Sequence, residues 1–400
     1  MHAIICGAGI AGLALANRLS TLGQDVTVLE RSPGPRPQGY MIDFFGPGYD
    51  AMTAMGLLPA LEEVAYYVEE GVLVDEHGRR QAAINIKQFA EGDLLSVMRP
   101  DLEGVLREHL PSNVNLRYGA MLTGVTPRAD GVRVQLADGS TLDGDLLIGA
   151  DGIHSAVRRA VFGPEASYLR FLGFHTAAYS FDAPAIHDEV GGRFCLTDTM
   201  GSQFGFYSLR DGRVAAFAVH RTTDPDVPAD TQAAIRSAYD GLGWVVPQAL
   251  TLCPAPDQIY YDQVAQIVMP RWSSGRVVLV GDACGAVSLL AGQGASLGIA
   301  GAFLLAEKLV GAASVEEGAA EYERVWRPVV EEKQKVARST ARWFLPRSRT
   351  ELIARRVLLK VLRMPGLRTL LPAALAGKPT TLIRDAADAP DKFKPGAQRI

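Results

Sequence analysis

The sequence predicts an α/β protein with three parts: a βαβ domain, a second domain built on an antiparallel β-sheet, and a helical C-terminal region. A strand–glycine turn–helix–strand pattern opens the chain, strand-like runs joined by turn residues fill residues 167–221, and basic helical segments dominate residues 331–370. The chain has 400 residues, of which 48% are hydrophobic and 21% charged. It is therefore long and apolar enough to bury more than one core.

Composition and charge exclude several classes of protein. The net charge of −4 gives no general attraction to nucleic acid. No run of about 18 apolar residues is free of glycine or charge, so we expect no stable membrane insertion. The cysteines form no CxxC pair, which disfavours a disulfide framework or a metal site and indicates a reducing, cytoplasmic location. They are Cys6, Cys195, Cys253 and Cys284.

The first motif lies at the N-terminus and has the full form of a Rossmann-like dinucleotide-binding unit. Residues 3–7 read AIICG, an apolar run typical of a buried parallel strand. The glycines of GAGIAG follow, then a helical segment that stops near Gly23, and then a second strand, DVTVLE, that ends at Glu30. Because strand, helix and acid all accompany the glycines, the pattern favours a nucleotide site over a glycine-rich packing turn.

Each residue of this motif has a physical reason to be there. Gly7 allows the tight turn, Gly9 lets the backbone approach a pyrophosphate, and Gly12 lets helix and strand pack closely. The helix N-terminus offers free N–H groups and a positive dipole end to phosphate. Glu30 is suited to accept hydrogen bonds from ribose hydroxyls and would repel a 2′-phosphate. The tightly held nucleotide is therefore predicted to be FAD or NAD rather than NADP.

Two further motifs follow predicted strands. Residues 145–159 read DLLIGADGIHSAVRR, where a strand ends near Asp151 and a helix begins near Ser155. Residues 276–298 read RVVLVGDACGAVSLLAGQGASLG, where a strand ends at Asp282 and a glycine turn precedes a long helix. Both aspartates are expected at the carboxyl ends of strands, where open α/β sheets bind ligands.

The motifs follow one another in the order GAGIAG with Glu30, ADG at 150–152, GD at 281–282 and GQG at 292–294. In this order and spacing, the chain resembles the p-hydroxybenzoate-hydroxylase-like (class A) FAD-dependent aromatic monooxygenases. The resemblance covers about residues 1–330. It implies FAD as the bound cofactor and NADPH or NADH as a transient reductant. It also implies a reaction in which O2 oxygenates an aromatic or polyketide-like small molecule. The oligomeric state stays open.

The resemblance also implies roles for single residues. The first motif would hold the ADP part of FAD, Asp282 the ribityl or pyrophosphate region, and the turn after Gly292 the flavin ring. Asp151 would serve FAD and the reductant, and Arg99 would open a helix and reach the FAD. The expected cofactor-binding residues are Gly7, Gly9, Ala11, Gly12, Glu30, Arg31, Gln38, Arg99, Asp151, Asp282, Gly292, Gln293, Gly294, Ala295 and Ser296.

Several alternatives remain open from the residues alone. Asp282 could cap the segment that follows it, Arg99 could be a surface ion-pair partner, and Asp151 could be a helix N-terminal turn residue without a ligand. The chain also departs from the family pattern at four positions of the third motif. Glycine replaces a usual His at 285 and a usual acid at 301, leucine replaces a proline at 289, and Ser296 replaces an asparagine.

The motifs and turn signals predict a discontinuous domain organisation. The FAD-binding domain is expected to comprise residues 1–70, 96–165 and 270–330, and the substrate domain residues 71–95 and 166–269. Residues 331–400 would form a basic helical region with 16 Lys and Arg against 6 Asp and Glu. Its basic helices would either lay an apolar stripe over the protein, which we favour, or lie on a membrane surface.

The expected substrate contacts lie in two segments. Residues 33–50 are too rich in glycine and proline for a regular helix. They would either run along the flavin, with Gln38, Gly39 and Tyr40 as FAD or substrate contacts, or form an ordinary surface loop. Hairpins are expected at His77-Gly78 and Asp211-Gly212. The sheet around the second hairpin would roof the active site, with wall residues that are alternatively simple core. These candidates are Phe204, Phe206, Phe217 and His220, together with Tyr40.

The sequence offers no convincing catalytic base and no metal-ligand spacing. His154, His175 and His220 are the histidines near predicted site segments. A second GxGxxG unit for the reductant is absent, as the family expects. The alternative function is an FAD-bound natural-product cyclase or reductase of the same fold that does not oxygenate its substrate.

Overall fold

The computed structural model describes residues 1–85, 94–289, 292–361 and 380–388. Its helices are α1 (Ile10–Thr21), α2 (Pro47–Ala54), α3 (Leu58–Val64), α4 (Arg99–Glu108), α5 (Ala156–Val161), α6 (Pro184–Val190), α7 (Thr231–Tyr239), α8 (Val246–Thr251), α9 (Asp282–Gly285), α10 (Gly294–Gly311), α11 (Val315–Phe344), α12 (Arg349–Val361) and α13 (Leu382–Ala387).

The strands fall into four sheets of six, three, seven and two strands. They are β1 (His2–Cys6), β2 (Asp25–Glu30), β3 (Met41–Phe44), β4 (Glu70–Val74), β5 (Arg80–Asn85), β6 (Leu95–Met98), β7 (Asn115–Tyr118), β8 (Leu122–Pro127), β9 (Val132–Leu136), β10 (Thr141–Gly144), β11 (Leu146–Gly149), β12 (Leu169–Phe181), β13 (Phe194–Thr199), β14 (Ser202–Ser208), β15 (Val214–Arg221), β16 (Tyr260–Ile267), β17 (Ser273–Ser274) and β18 (Val277–Leu279).

The six-stranded sheet contains the predicted βαβ unit and has the order β17-β18-β11-β1-β2-β7. β1 pairs in parallel with both β2 and β11, and β11 pairs in parallel with β18. Its central residues are fully buried, and helices α1 and α5 pack against its strands. That burial explains why these strands read as continuous apolar runs. The parallel strands β1, β2, β11 and β18 end at one edge, which brings the three motifs together.

The seven-stranded sheet has the order β16-β12-β15-β14-β13-β4-β5. It is antiparallel except for β4 and β13, which pair in parallel. Both predicted hairpins are confirmed, since β4 pairs with β5 and β14 with β15. Their turns use the left-handed region at Gly78 (φ +78°) and Gly212 (φ +84°), which glycine enters without strain.

The two faces of this sheet have different partners. The outer face carries Phe204 and Phe206, which pack with Ile235 and Tyr239 of α7 in a helix-covered core. The inner face carries Tyr207, which packs in a cluster with Met41 of β3 and Met98 of β6. The inner face is therefore the one that meets the nucleotide-binding part of the chain.

Residues 33–50 contain more regular structure than the sequence predicts. Strand β3 pairs with β6, and α2 begins at Pro47 after Gly46, whose φ is +66°. The prediction that this segment holds no regular helix is therefore wrong at its C-terminal end. Proline at the first helical position is the signal that identifies the start of α2.

The C-terminal helices are tied to both sheets. The helix α11 runs unbroken across the boundary expected at residue 331, and its residues Tyr322, Trp326 and Val330 are buried in the core of the six-stranded sheet. Arg355 of α12 forms an ion pair with Asp198 on β13. Most of the basic stripe expected between residues 351 and 363 lies outside the described side chains.

One helix among the described residues is long and apolar enough to cross a membrane, by length and composition alone. It is α10, and 67% of its apolar window is buried inside the protein. The helix packs against α1 and α11, as a buried helix in the core of a folded domain does.

Candidate functional site

The first glycine turn leaves no room for side chains at two positions. A Cβ atom on Gly12 would lie 1.9 Å from the carbonyl oxygen of Gly7, and one on Gly7 would lie 2.5 Å from the carbonyl oxygen of Ala150. A Cβ on Gly9 would meet nothing nearer than Oε1 of Glu103 at 3.6 Å. The turn is therefore closed on the side of the sheet and open in front of Gly9, which suits a pyrophosphate.

Glu30 ends β2 directly beside this turn. Its carboxylate accepts hydrogen bonds from the backbone N–H of Ala8 and of Ser32, both at 2.9 Å. Burial alone would raise the pKa of Glu30, but the two backbone N–H donors outweigh it and lower the pKa. Glu30 is therefore ionised at neutral pH and fixed in place, and its contact with ribose hydroxyls stays a prediction. Arg31, the next residue, is exposed.

Arg99 opens helix α4 as predicted and lies on the open side of the glycine turn. Its Nη2 atom donates to Oε1 of Glu103 at 2.5 Å and would be 4.0 Å from a Cβ on Gly9. Only 18% of its side chain is exposed, so the reading as a surface ion pair does not describe it. Arg99 is positioned to place positive charge against a bound pyrophosphate.

The third motif meets the first at the edge of the sheet. A Cβ on Gly281 would lie 2.9 Å from the Cβ of Ala11, and one on Gly298 would lie 3.5 Å from the same atom. A Cβ on Gly294 would lie 3.9 Å from Oδ1 of Asp282. The helices α1 and α10 therefore begin close together, and neither has a side-chain cap at its N-terminus. Two uncapped helix N-termini form a strong site for phosphate or flavin oxygens.

Asp282 lies at the bottom of the resulting cleft. Its side chain is exposed to solvent although protein surrounds it. This enclosure raises the pKa of Asp282, Arg99 opposes the rise, and Asp262 adds to it. A solvent-accessible carboxylate inside the body of the protein indicates a deep cleft with room for a ligand. A small cavity of about 10 Å³ lies between Asp282 and α11, where Trp326 and Val330 line it.

The side chain of Asp151 serves the helix that follows it. Its Oδ2 atom accepts from the backbone N–H of Ala156 at 2.6 Å and of Val157 at 3.1 Å, and its Oδ1 atom accepts from Ser155 at 2.5 Å. These bonds match the alternative in which Asp151 is a helix N-terminal residue. A contact of Asp151 with FAD or the reductant stays a prediction.

The remaining expected cofactor residues make contacts in different parts of the chain. Ser296 donates to the carbonyl of Phe45 at 2.6 Å and accepts from the N–H of Gly48 at 2.9 Å, so its hydroxyl joins α10 to α2. Gln38 donates to the carbonyl of Asp257. Gly292 and Gln293 form the turn before α10, and Gly294 and Ala295 are the first two residues of the helix.

Helix α11 explains two departures from the family pattern. A Cβ on Gly301 would lie 2.6 Å from Nε1 of Trp326, and one on Gly285 would lie 2.8 Å from Cγ1 of Val330. The larger residues that the family places at these positions would collide with α11. Glycine at 285 and 301 is therefore a consequence of how α11 packs and leaves the turn around Asp282 intact.

These residues fit FAD. The turn in front of Gly9 is open, Glu30 supplies an ionised acceptor beside the turn, and Arg99 supplies a cation. The uncapped N-termini of α1 and α10 face the cleft in which Asp282 is accessible. Among the described residues no group of three or more His, Cys, Asp or Glu could hold a metal ion.

Aromatic residues line the side of the cleft opposite the nucleotide turn. The ring of Tyr40 lies 5.2 Å from that of Tyr260 and 6.2 Å from that of Phe217, between ring centroids. Enclosure raises the pKa of Tyr40 and of Tyr260, so both phenols stay protonated at neutral pH. Tyr40 and Phe217 therefore lie close together on this face, and their role as substrate contacts stays a prediction.

Sequence reasoning missed three polar residues of this cleft. Tyr260 and Asp262 alternate along β16 and therefore share its inner face. Asp43 lies on β3, where burial raises its pKa and a hydrogen bond from Ser96 at 2.7 Å opposes the rise. The alternation in YYDQVAQI was the available signal, but nothing in it marks which face meets a ligand.

Three predicted wall residues lie on the wrong face of the sheet. Phe204 and Phe206 are fully buried in the helix-covered outer core. His220 also points outwards, where its Nδ1 atom lies 3.0 Å from the hydroxyl of Tyr239, and burial lowers its pKa to about 4. The alternation predicted for β14 is confirmed, but its inner face carries Gln203, Gly205 and Tyr207 instead.

The chain matches known proteins over most of its length. A family profile described as "FAD binding domain" matches residues 1–340. An uncharacterised protein of Mycobacterium tuberculosis is 34% identical over 343 residues, which cover 83% of this chain and 91% of that protein. A FAD-dependent monooxygenase of Sarocladium schorii is 30% identical over 364 residues, which cover 83% of this chain and 86% of the relative.

Solved structures share the fold. The tetracycline destructase Tet(55) has a TM-score of 0.78 and 26% identity, over 93% of this chain and 97% of that structure. Klebsiella pneumoniae HpxO, complexed with FAD and uric acid, has a TM-score of 0.79 and 22% identity, over 94% and 96% of the two chains. The chain belongs to the p-hydroxybenzoate-hydroxylase-like FAD-dependent monooxygenases, oxidoreductases that use O2 and a small-molecule substrate.

Proposed function

We propose that this monooxygenase hydroxylates a flat aromatic or polyketide-like molecule in the cleft between the nucleotide site and the inner face of the seven-stranded sheet. The observation that carries the proposal is the aromatic group formed by Tyr40, Phe217 and Tyr260 on that face. Half-buried aromatic rings favour stacked or edge-on contact with another ring. The relation to Tet(55), a tetracycline destructase, supports a polycyclic substrate.

The chain's own residues bind and orient while the cofactor supplies the redox chemistry. FAD, when bound, accepts electrons from NADPH or NADH and passes them to O2. Glu30 and Arg99 hold the adenosine and pyrophosphate side, and the N–H groups at the start of α10 hold the other end. Tyr40, Phe217 and Tyr260 exclude water and set the face of the substrate that is presented. NADPH and NADH remain equal candidates, because Glu30 selects the tightly held nucleotide and not the reductant.

Polar groups at the edge of the cleft give the substrate an orientation. The pKa values of the Tyr40 and Tyr260 phenols are raised, so both phenols stay protonated, and burial raises the pKa of Asp43 nearby. The two phenols can therefore donate hydrogen bonds to carbonyl or hydroxyl oxygens. A substrate with several such oxygens along one edge, as aromatic polyketides have, satisfies these donors.

The purified protein's absorbance spectrum is the first test, followed by NADPH oxidation and O2 uptake with a panel of phenols, tetracyclines and other aromatic polyketides. We expect bound flavin, and O2 uptake that one class of the panel accelerates. Tyr260→Leu should lower that acceleration, whereas Tyr67→Leu, on the surface with 64% exposure, serves as the matched control. Product formation without NADPH or O2 consumption would replace hydroxylation by the cyclase function.

A further inference from the structure

His154 joins the nucleotide-binding part of the chain to the substrate sheet. It lies in the turn between β11 and α5, and its imidazole contacts a carboxylate at each nitrogen. Nδ1 is 2.9 Å from Oε1 of Glu165, and Nε2 is 3.4 Å from Oδ1 of Asp262 on β16. We name Asp262, His154 and Glu165 the proton-delivery cluster.

The inner end of the cluster faces the cleft. Asp262 shares the inner face of β16 with Tyr260, whose ring contacts Tyr40. The charge of Asp262 raises the pKa of the cleft residue Asp282. Its Oδ1 atom accepts from His154 and from the N–H of Gln263 at 2.8 Å, while no hydrogen bond within the described residues reaches Oδ2. One carboxylate oxygen is therefore fixed and the other is available.

The outer end of the cluster faces solvent. Glu165 accepts from Arg158 at 2.8 Å and from Arg159 at 3.4 Å through Oε2. Arg159 also donates to the backbone carbonyl of His154 at 3.0 Å, and 37% of the His154 side chain is exposed. The cluster thus spans from the surface to the cleft, with the imidazole at its centre.

The surrounding charges keep His154 protonated. The hydrogen bond with Asp262 raises its pKa most, burial opposes the rise, Glu165 adds to it, and the pKa reaches about 9. His175 and His220 differ, because burial lowers the pKa of both. Of the three histidines in the site segments, His154 is therefore the one whose pKa is raised, and its imidazole is doubly protonated at neutral pH.

We propose that the cluster delivers one proton from solvent to the cleft in each turnover. The inference rests on the proposed function: insertion of one oxygen atom of O2 into a C–H bond, with NADPH as hydride donor, consumes one proton and releases one water. The Nε2–H bond of His154 breaks as an O–H bond forms on Asp262. Asp262 then gives this proton to the oxygen that leaves as water. Solvent reprotonates Nε2, and Glu165 positions the ring by holding Nδ1–H.

A first measurement tests the cluster without any turnover. ¹³C-labelled histidine in the intact protein allows NMR titration of His154 in the wild type, in Asp262→Asn and in Glu165→Gln. We expect a pKa near 9 in the wild type that moves towards the ordinary value of about 6.5 in each variant. An ordinary value in the wild type would overturn the proposal, whether or not the protein binds FAD.

A second measurement tests proton delivery. The holoenzyme's NADPH-dependent O2 consumption, with the most active compound of the aromatic panel, is followed from pH 6 to 10 for the wild type, His154→Gln and Asp262→Asn. We expect kcat of the wild type to fall above pH 9. In both variants kcat at pH 7 should be at least about 10-fold lower than in the wild type, and the fall of kcat above pH 9 should be absent. His187→Gln, which removes a histidine beside Asp188 on α6, should match the wild type.

Two other outcomes identify what failed. A His154→Gln enzyme with a raised KM for NADPH and an unchanged pH profile of kcat would assign His154 to reductant binding and overturn proton delivery. Anaerobic reduction of bound flavin by NADPH reports on the proposed function alone. If that reduction fails while His154 still titrates near pH 9, the proposed monooxygenase function is wrong, and proton delivery is wrong with it. The proton-delivery cluster would then be only a charged contact between the two parts of the chain.

Discussion

The nucleotide turn and the substrate sheet differ in how tightly the local chain constrains them. At the turn, backbone atoms occupy the space of a Cβ at Gly7 and Gly12, so each glycine is required by its immediate neighbours. On β14 the residue alternation separates two faces but does not orient them, and only packing decides that Phe204 meets α7 while Tyr207 meets β3. Local sequence therefore specifies the turn, whereas the role of the sheet depends on contacts made between distant segments.

Gly12→Ala should have the largest effect, because it inserts a methyl group against backbone. The added Cβ would lie 1.9 Å from the carbonyl oxygen of Gly7, which cannot move as a side chain does. We expect a loss of about 3 kcal/mol or more in the free energy of unfolding, together with loss of FAD from the purified protein. Thermal unfolding and the flavin absorbance of the same samples measure both.

The matched control is Gly311→Ala, at the end of α10, where an added Cβ meets nothing within 4 Å. It should leave stability and flavin content unchanged. Equal behaviour of the two variants would contradict the claim that the turn is locally constrained.

The second prediction compares the two faces of the sheet. Phe204→Ala removes a ring that is fully buried in the outer core, so it should cost about 3–5 kcal/mol of stability and leave substrate KM unchanged. Phe217→Ala removes a half-buried ring beside Tyr40, so it should cost less stability and raise KM. For both variants, urea unfolding measures the loss of stability and steady-state kinetics measures the substrate KM. A raised KM in the Phe204 variant alone would restore the outer face as the substrate wall.

The sequence predicted those parts of the molecule in which neighbouring residues set the structure. The βαβ unit, both hairpins and the convergence of Ala11 with Gly281 follow from strand ends, turn glycines and close approach. The cleft residues Asp43, Tyr260 and Asp262 could not be found in this way, since period-two alternation defines two faces without orienting them. The helix cap made by Asp151 was visible only as an alternative, because a cap and a ligand contact use the same residue at the same place.

Glu30→Gln tests the turn with a milder change. The carboxylate accepts two backbone N–H bonds and is ionised, and the amide retains the shape but loses the charge. A charge-assisted hydrogen bond contributes about 1.5–3 kcal/mol, so we expect FAD to bind roughly 10- to 100-fold more weakly. Glu62→Gln on the surface is the control. Equal flavin affinity in both variants would remove Glu30 from the ribose site.

The smallest expected effect lies where the two regions meet, at the contact of His154 with Asp262. The pKa of His154 is about 9 in the folded protein against an ordinary value of 6.5. The contact therefore stabilises the fold fully below pH 6.5, and the stabilisation is lost as the pH rises through 9. Because the imidazole is more than a third exposed, solvent screening limits this contribution to less than about 1 kcal/mol.

The difference in Tm between the wild type and His154→Gln should accordingly shrink from pH 6 to pH 10. A difference that grows with pH would mean that the imidazole is neutral in the folded protein, since a depressed pKa has the opposite sign. The contact of His154 with Asp262 would then add no charge attraction between the two regions. Packing between distant segments, which orients the sheet, would also have to hold the sheet against the locally constrained turn.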